Sequence, residues 1–357
     1  MTPSTASSPR HAKGFVLAVT LWMLAGIAIA VGALTLWAIS ELADATSARE
    51  RTEDALAMAS TRDTLLYLLA TRELTLAGLP VEALDDDERA LRLVNEMSGM
   101  SVDPRGGELA LDGEHYRGRA HSRFSIQDET GLFSVAWPGQ AVLDAFLEDR
   151  GVPARDIPAL RDALLDYIDY DDLRRLNGAE DREYARERRP TPPNRRLLLP
   201  HEVFAVLGWE ALDRGDQPLS PDLLTTVYLG AVNLNTAPAG LLSYWLPGCP
   251  GTCDEFLRRR ERDPWRSGPE VEAILGVQLR GDETASYRFV AGEYFRFTLW
   301  GRTGGAQRIH VRLTPLQGGA GPWSILATYP VPRPGDESTQ DTGSHLFADV
   351  PRHPRRR

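Results

Sequence analysis

Hydrophobic and polar positions divide the chain into a long apolar segment near the N-terminus and a body of mixed character. Residues 15–40 contain no charged side chain. A helix of that length spans roughly 39 Å, more than the ~30 Å hydrocarbon core of a bilayer. From Glu41 to Leu79 the chain has no proline and is rich in helix formers, and Gly78 and Pro80 then act as stop signals. The pattern predicts one helix over residues 15–77 whose first half, residues 15–40, is a retained transmembrane segment.

The body alternates between apolar and polar positions at its two ends and has a helical pattern between them. Residues 108–126 alternate around Asp112-Gly113, a predicted hairpin turn, and residues 284–330 alternate around a second turn at Gly304-Gly305. Strands that bracket a helical block predict an α+β fold in which the long helix packs on an antiparallel sheet and an all-α domain is inserted. The predicted helices lie near residues 140–149, 156–169, 199–212, 219–228, 236–246, 252–262 and 268–276.

The distribution of charge predicts the orientation of the chain in the membrane. Charge and motifs also argue against nucleic-acid binding and catalysis. Arg10 and Lys13 precede the apolar segment and Glu41 and Asp44 follow it, so the positive-inside rule places the N-terminus in the cytoplasm and the body across the membrane, which in a bacterium is the periplasm. The net charge of -10 over 357 residues argues against a nucleic-acid partner, which needs a concentrated basic face. The seven histidines show no metal-ligand spacing and no glycine-rich phosphate loop follows a strand. We therefore predict no catalytic residues and no enzymatic activity.

Nine acidic residues lie within residues 162–187. Calcium and similar hard cations take six to eight oxygen ligands, and a helix end followed by a loop can supply several. The spacing does not match an EF-hand loop, and arginines are interspersed, so a solvated, ion-paired surface is the alternative interpretation. The acids are Asp162, Asp166, Asp169, Asp171, Asp172, Glu180, Asp181, Glu183 and Glu187.

The two cysteines lie close together in the segment CPGTC. Cys249 and Cys253 are separated by a Pro-Gly-Thr turn, and the predicted periplasmic location permits disulfides. A C-x3-C pair alone is a poor zinc site, because two further ligands are missing. We predict a local disulfide.

The N-terminus resembles that of type IV pilin-like proteins. A basic leader is followed by Gly14-Phe15, an apolar run and an amphipathic helical continuation. The resemblance implies that prepilin peptidase removes residues 1–14 by cutting between Gly14 and Phe15, and that Phe15 is N-methylated. Most members carry Glu at the fifth mature position, where this chain has Val19. In the family that Glu is compensated by the subunit above, so its absence implies a subunit at the tip of a fibre.

The body resembles the K-type minor pseudopilin of type II secretion systems (general secretion pathway protein K). The resemblance implies a type IV pilin-like fold with a large inserted all-α domain, and a minor pseudopilin at the pseudopilus tip. There it would initiate or cap the pseudopilus for protein export across the outer membrane. The resemblance also implies calcium binding, for which the best candidate ligands are Asp169, Asp171, Glu180 and Asp181. Asp172 is the next candidate. The stretches that carry the resemblance are FSIQDETGLFSV (124–135), LLDYIDYDDLRRLNGAEDREY (164–184), LLPHEVFAVLGW (198–209) and AVNLNTAPAGLL (231–242).

The same resemblance implies the partners and the location. The implied partners are the I- and J-type minor pseudopilins, prepilin peptidase, the inner-membrane platform of the secretion system and, as a candidate, the exoprotein cargo. The location is the bacterial inner membrane with a single pass. Two alternatives are a minor pilin of a type IV pilus and a bitopic periplasmic binding or signalling protein that retains its leader.

The predicted segments are a leader (1–14), a transmembrane half-helix (15–40), a periplasmic half-helix (41–79), a pilin-like part (80–138), the all-α insertion (139–283), C-terminal strands (284–331) and a disordered tail (332–357).

Overall fold

The computed structural model describes most of the chain. The described residues are 13–83, 90, 102–136, 138–214, 218–227, 230–281, 286–314, 321–335 and 338–348. Residues 1–12 of the predicted leader and residues 349–357 of the predicted tail lie outside the described residues. The chain divides into two compact units, Met1–Glu53 and Asp54–Arg357.

A long helix, α1 (Lys13–Thr71), opens the described chain. In the first unit its large apolar side chains are exposed from Phe15 to Leu42, except for the partly buried Val19. Among the described residues it is the one helix long and apolar enough to cross a membrane. This exposure is expected for a surface made to contact lipid or other apolar helices rather than water.

The helix ends at Thr71, earlier than the predicted residue 77. Gly78 has φ +134°, and a Cβ added there would lie 2.1 Å from the carbonyl oxygen of Leu109. This residue therefore serves a tight turn that brings the chain beside residues 108–109, and not the cap of α1. The sequence signal was a real glycine turn assigned to the wrong structural element.

A five-stranded antiparallel sheet forms the centre of the second unit. Its strand order is β11-β10-β9-β4-β3. Short two-stranded pairs, β1 with β2, β5 with β6 and β7 with β8, lie outside it. The strands are β1 (Leu79–Pro80), β2 (Glu108–Leu109), β3 (Asp112–Arg117), β4 (Arg123–Asp128), β5 (Phe133–Ser134), β6 (Leu224–Thr225), β7 (Val232–Asn233), β8 (Tyr287–Arg288), β9 (Tyr294–Trp300), β10 (Ala306–Leu313) and β11 (Trp323–Val331).

The last part of α1 packs on one face of this sheet. Leu65 and Leu68 are fully buried, together with Phe124 of β4 and Phe297 of β9. Phe124 alternates with Ile126 along β4, and both lie in the core formed with α1. The residues between the alternate positions of β4 and β9 are buried too, so these two strands are covered on both faces. Burial of each such side chain contributes roughly 1.5–3 kcal/mol. The pilin-like packing of a long helix on an antiparallel sheet thus follows from the leucines of α1 and the strand alternation.

One predicted turn is wrong and the other is confirmed. Asp112 and Gly113 lie inside β3, where Asp112 pairs with Gln127 and the register shifts before His115. Gly113 has φ +94°, so the Asp-Gly signal marks a β-bulge and not a hairpin turn. The turn at Gly304-Gly305 joins β9 to β10, and Gly304 has φ +77°.

A second hydrophobic core lies in the helical part between β5 and β8. Its largest buried side chains include Phe133, Phe146, Trp209, Phe256 and Trp265. The rings of Phe133 and Phe146 stack with centroids 3.7 Å apart. The helices are α2 (Gln140–Asp149), α3 (Ile157–Ile168), α4 (Asp181–Arg186), α5 (Ala239–Trp245), α6 (Gly251–Arg262) and α7 (Gly268–Leu275).

Two predicted helices are shorter or differently built. The predicted helix 199–212 is two 3-10 segments, Pro200–Ala205 and Trp209–Ala211, separated by Gly208 with φ +88°. The predicted helix 219–228 is a 3-10 turn, Pro221–Leu223, followed by β6. β6 pairs in parallel with β5, so tertiary pairing replaces the local helical pattern there. The insertion is therefore mainly helical with short parallel strand pairs, rather than all-α.

The prediction of a disordered tail over residues 332–357 is wrong for residues 338–348. Gln340 pairs with β3 through Arg117 N–H to Gln340 O and Gln340 N–H to His115 O, at 2.9 and 2.8 Å. Phe347 is buried and stacks on Phe124 with ring centroids 5.3 Å apart. The low apolar content of the tail suggested disorder. The single buried side chain of Phe347 is enough to hold this segment against the sheet edge at β3.

Candidate functional site

The predicted processing residues lie at the start of α1. Gly14 and Phe15 are its second and third residues, and Phe15 is 71% exposed. Val19 follows one turn later on the same helix and is partly buried. The leader that would contain the recognition sequence for prepilin peptidase lies outside the described residues, apart from Lys13 and Gly14.

The acidic segment is built from the end of α3 and the start of α4. Asp162, Asp166 and Asp169 follow one another at helical spacings of four and three along α3 and its C-cap, and all three are buried. The loop after α3 folds back over them. Asn177 donates to Asp162 Oδ2 through its backbone N–H at 3.2 Å and its side chain at 3.1 Å. Gly178 passes so close that an added Cβ would lie 1.9 Å from Asp166 Oδ2.

Arg175 bridges two of these carboxylates. Its Nη1 donates to Asp166 Oδ1 and to Asp169 Oδ2, both at 2.6 Å. Burial raises the pKa of Asp166, although hydrogen bonds from Arg175 oppose the effect. A single guanidinium thus compensates the two buried acids at the end of α3.

Buried oxygen atoms without a hydrogen-bond partner gather around this loop. They are Asp169 Oδ1, both Oε atoms of Glu180 and Asn194 Oδ1. Burial raises the pKa of Glu180 to about 7, and the charges of Asp166, Asp169, Asp172 and Asp181 add to the effect. Unsatisfied buried acceptors are costly, and oxygen acceptors are the ligands that a hard cation prefers, although Arg175 already donates to the other oxygen of Asp169.

The other predicted ligands lie at the rim of the loop. Asp171 Oδ1 accepts from Leu173 N–H at 2.8 Å, and Asp172 Oδ1 accepts from Asn194 Nδ2 at 2.6 Å. Asp171, Asp172 and Asp181 are all exposed. In the part of the chain that the structure describes, no three His, Cys, Asp or Glu side chains are arranged to hold a metal ion. The predicted ligands therefore belong to one segment, but of these only Asp169 and Glu180 have buried oxygens without a hydrogen-bond partner.

Sequence reasoning missed two contributors to this site. Asp166 was counted among the acids but not as a ligand, although its i,i+3 spacing from Asp169 on a helix places both on one face. Asn194 lies beyond the acidic segment and has φ +48°. Only folding brings its amide beside Asp172, so no local signal could have identified it.

A buried polar network joins the sheet to the helical part. The carboxylate of Asp128, at the end of β4, accepts from Thr130 N–H at 3.0 Å, Asn233 Nδ2 at 3.0 Å and Thr236 Oγ1 at 2.9 Å. Burial raises the pKa of Asp128, and these hydrogen bonds oppose the rise. The segments DETG (128–131) and NLNTAP (233–238), which are 105 residues apart, thus meet at one fully buried carboxylate.

The neighbouring Glu129 is held by basic side chains of the sheet. Its Oε1 lies 2.5 Å from His310 Nδ1 and 3.5 Å from Arg296 Nε. Burial alone would raise the pKa of Glu129, but the charges of Arg296 and His310 outweigh it and lower the pKa to about 2. Arg296 also donates to the carbonyl oxygens of Asp222 and Leu224, so this network ties β9 and β10 to β6. Its role is to join the two cores.

Cys249 and Cys253 are joined by a disulfide, with their Cα atoms 5.1 Å apart. The bond links the segment after α5 to the first turn of α6. Cys253 is buried against the core of the helical part. The disulfide therefore fixes the start of α6 and leaves neither thiol for metal binding.

Comparisons with known proteins agree with this architecture. A family model described as type II secretion system (T2SS), protein K, matches residues 127–214. Among solved structures, a chain in the crystal structure of the GspK-GspI-GspJ complex from the enterotoxigenic Escherichia coli type 2 secretion system is similar, with a TM-score of 0.51 and 16% identity. The match covers 81% of this chain and 99% of that chain. No curated protein matches. The predicted α+β fold, with a long N-terminal helix, an antiparallel sheet and additional helices, is confirmed.

Proposed function

We propose that this chain, a minor pseudopilin of the type II secretion system protein K family, initiates and caps the tip of the pseudopilus. Its work is assembly and not catalysis. The observation that carries the proposal is α1, which presents exposed apolar side chains from Phe15 to Leu42 and whose last turns form part of the sheet core. A helix of this kind buries its apolar surface only against lipid or against equivalent helices.

The position of Val19 supports a place at the tip. A carboxylate within the apolar part of a membrane helix is destabilising unless a partner compensates it. In a fibre the partner is supplied by the next subunit, and the last subunit has none. An apolar residue at this position removes the need for a subunit beyond it. The bulk of the helical part, residues 139–283, acts in the same direction by adding volume that a repeating subunit lacks.

The proposal includes the processing and the location of the chain, and the start of α1 supports it. Prepilin peptidase cuts between Gly14 and Phe15 on the cytoplasmic side, and Phe15 becomes the N-methylated first residue. The apolar segment remains in the inner membrane with the body in the periplasm, because Arg10 and Lys13 precede it and acids follow it.

The partners we propose are other minor pseudopilins. The solved structure that resembles this chain is a complex of GspK with GspI and GspJ, and we expect the I- and J-type subunits to contact this chain in the same assembly. The inner-membrane platform would receive the assembled tip. Direct contact with the exoprotein cargo is a further part of the proposal, and the helical part is the surface available for it.

We propose that calcium binds at the acidic loop, where the unpartnered oxygens support it, although the described acids do not form a ready-made group of three ligands. Asp169, Glu180 and Asn194 would hold the ion, with Asp172 and Asp181 at the rim and Asp171 next to them. When bound, the ion supplies positive charge and several oxygen contacts. The residues themselves hold the loop after α3 against α4, and the binding energy would add to the stability of the fold.

The test of the function is the mature N-terminus of the membrane-bound chain, measured by mass spectrometry. Phe15 as the first residue, carrying a methyl group, is the expected result. An intact Met1 or Thr2 in cells with active prepilin peptidase would contradict the pseudopilin role and favour a bitopic periplasmic binding or signalling protein. Loss of exoprotein secretion on deletion of the gene, with pili unaffected, separates type II secretion from a type IV pilus.

A further inference from the structure

In the described part of the chain, no segment pairs with the outer edge of β11. β11 lies at one end of the five-stranded sheet and pairs with β10 alone. Among the described residues, no backbone hydrogen bond outside this pairing involves residues 323–331. An edge strand presents alternate N–H and C=O groups that only another extended backbone can satisfy in regular order.

The opposite edge of the same sheet, at β3, is covered by another segment of the chain. There β3 is covered by the segment around Gln340, through the two backbone hydrogen bonds between Gln340 and residues 115 and 117. The segment is anchored by Phe347 in the sheet core. Among the described residues, the chain thus covers the edge at β3 and does not cover the edge at β11.

The composition of β11 also points to a covered surface. Its nine residues, WSILATYPV, contain no charge, and Ile325 and Leu326 are 48% and 51% exposed. Soluble edge strands are usually protected by lysine or other charged side chains. An uncharged edge with two exposed aliphatic side chains offers an apolar contact surface to a partner strand.

Two features limit what can pair with this edge. The register with β10 shifts between His310 and Val311, so that Leu326 is the extra residue of a β-bulge. Pro330 lacks a backbone donor. Both features interrupt a regular ladder, and they restrict pairing to a short segment in one register. Such an edge suits one specific strand and opposes open-ended stacking of copies.

We propose that the outer edge of β11 binds an extended segment of a neighbouring minor pseudopilin by strand addition, with Ile325 and Leu326 in contact with apolar side chains of that segment. This inference rests on the proposed function, which makes other minor pseudopilins the partners. The backbone supplies the affinity and the two aliphatic side chains select the sequence that binds.

The experiment uses the full chain, tagged and expressed in membranes together with the I- and J-type minor pseudopilins of the same system. The variant is the double substitution Ile325→Lys and Leu326→Lys, which places charge on the edge. The matched control is Ile274→Lys on α7, because Ile274 is 50% exposed. The amount of each partner that co-purifies in mild detergent is measured, and the melting temperature of each variant checks its folding.

We expect the double variant to recover roughly tenfold less of at least one partner, while Ile274→Lys and the conservative variant Ile325→Val recover wild-type amounts. A photo-crosslinking side chain at Thr328 should then join this chain to the same partner. Wild-type recovery by the folded double variant overturns the inference and leaves the proposed function standing. Crosslinks at Thr328 between two copies of this chain overturn it as well. Failure of the wild-type chain to recover either partner overturns the proposed function together with the inference.

Discussion

Asp54 Oδ2 accepts hydrogen bonds from both the backbone N–H and the hydroxyl of Thr303, each at 2.7 Å. Asp54 belongs to α1, and Thr303 to the turn between β9 and β10. The carboxylate is 2% exposed, and a Cβ added to Gly301 would lie 2.5 Å from its Cγ. One acid on the helix therefore fixes the helix against a specific hairpin of the sheet.

This contact makes the stability of the second unit depend on pH. Burial alone would raise the pKa of Asp54, but hydrogen bonds from Thr303 and Arg302 outweigh it and lower the pKa from 3.8 to about 2. A lowered pKa stabilises the fold above the ordinary pKa, and the contribution disappears as the pH falls towards 2. Asp54→Asn should lower the free energy of unfolding by about 2 kcal/mol at pH 6 and by roughly half as much at pH 3.

The measurement is denaturant unfolding of the detergent-solubilised full chain at both pH values. Asp63→Asn is the control, because Asp63 lies on the same helix with its side chain 63% exposed. It should change the free energy of unfolding little at either pH. An equal loss for Asp54→Asn at pH 6 and pH 3 would contradict the ionised, hydrogen-bonded carboxylate.

Gly131 is predicted to tolerate no side chain. A Cβ there would lie 2.5 Å from the carbonyl oxygen of Thr236, which is backbone and cannot rotate away. Gly131→Ala should force apart the DETG and NLNTAP segments and destabilise the chain by roughly 3 kcal/mol or more. Gly139→Ala is the control, because the nearest atom to its added Cβ is Val142 Cγ2 at 3.9 Å. Equal melting temperatures for the two variants would show that the joint is not tightly packed.

The disulfide between Cys249 and Cys253 closes a short loop, so its effect should be modest. The chain-entropy relation gives about 2 kcal/mol for a loop of five residues. The double variant Cys249→Ser and Cys253→Ser should therefore melt a few degrees below wild type. A reductant should lower the melting temperature of the wild-type chain to the same value and leave the double variant unchanged. A double variant that still responds to the reductant would point to another cause.

Much of the fold could be predicted because its signals are local. The apolar run of α1 and the strand alternation near residues 294–313 depend on periodicity alone. The errors arise where a residue serves a distant contact. Gly113 forms a bulge against β4, and β6 pairs with β5 across about ninety residues. Phe347 anchors a segment whose composition suggests disorder. In each of these cases the contacting residue is too far away along the chain for a local sequence pattern to show the contact.

The candidate sites divide in the same way. The cysteine pair could be identified from its spacing, because both partners lie within five residues. The acidic loop could be located from the sequence. Which of its carboxylates would be paired with an arginine, and which would be buried without a partner, could not be predicted. Arg175 neutralises Asp166 and Asp169, whereas Glu180 is buried without a partner. Which carboxylate receives the arginine depends on how the loop turns at Gly178, and that is a property of the folded chain.

The unpartnered oxygens of the loop predict a response to calcium. Millimolar calcium should raise the melting temperature of the full chain by several degrees, since a ligand at about a hundred times its Kd stabilises by ~2.7 kcal/mol, and a chelator should reverse the rise. Glu180→Gln keeps the size of the side chain but removes its charge, so the response should largely disappear. Glu187→Gln, at an exposed acid of the same segment, should respond as wild type does. If both variants keep the full response, calcium binds elsewhere. If the wild-type chain shows none, the loop is held by Arg175 and the other ion pairs alone, and its buried carboxyl at Glu180 must then be protonated to be tolerated.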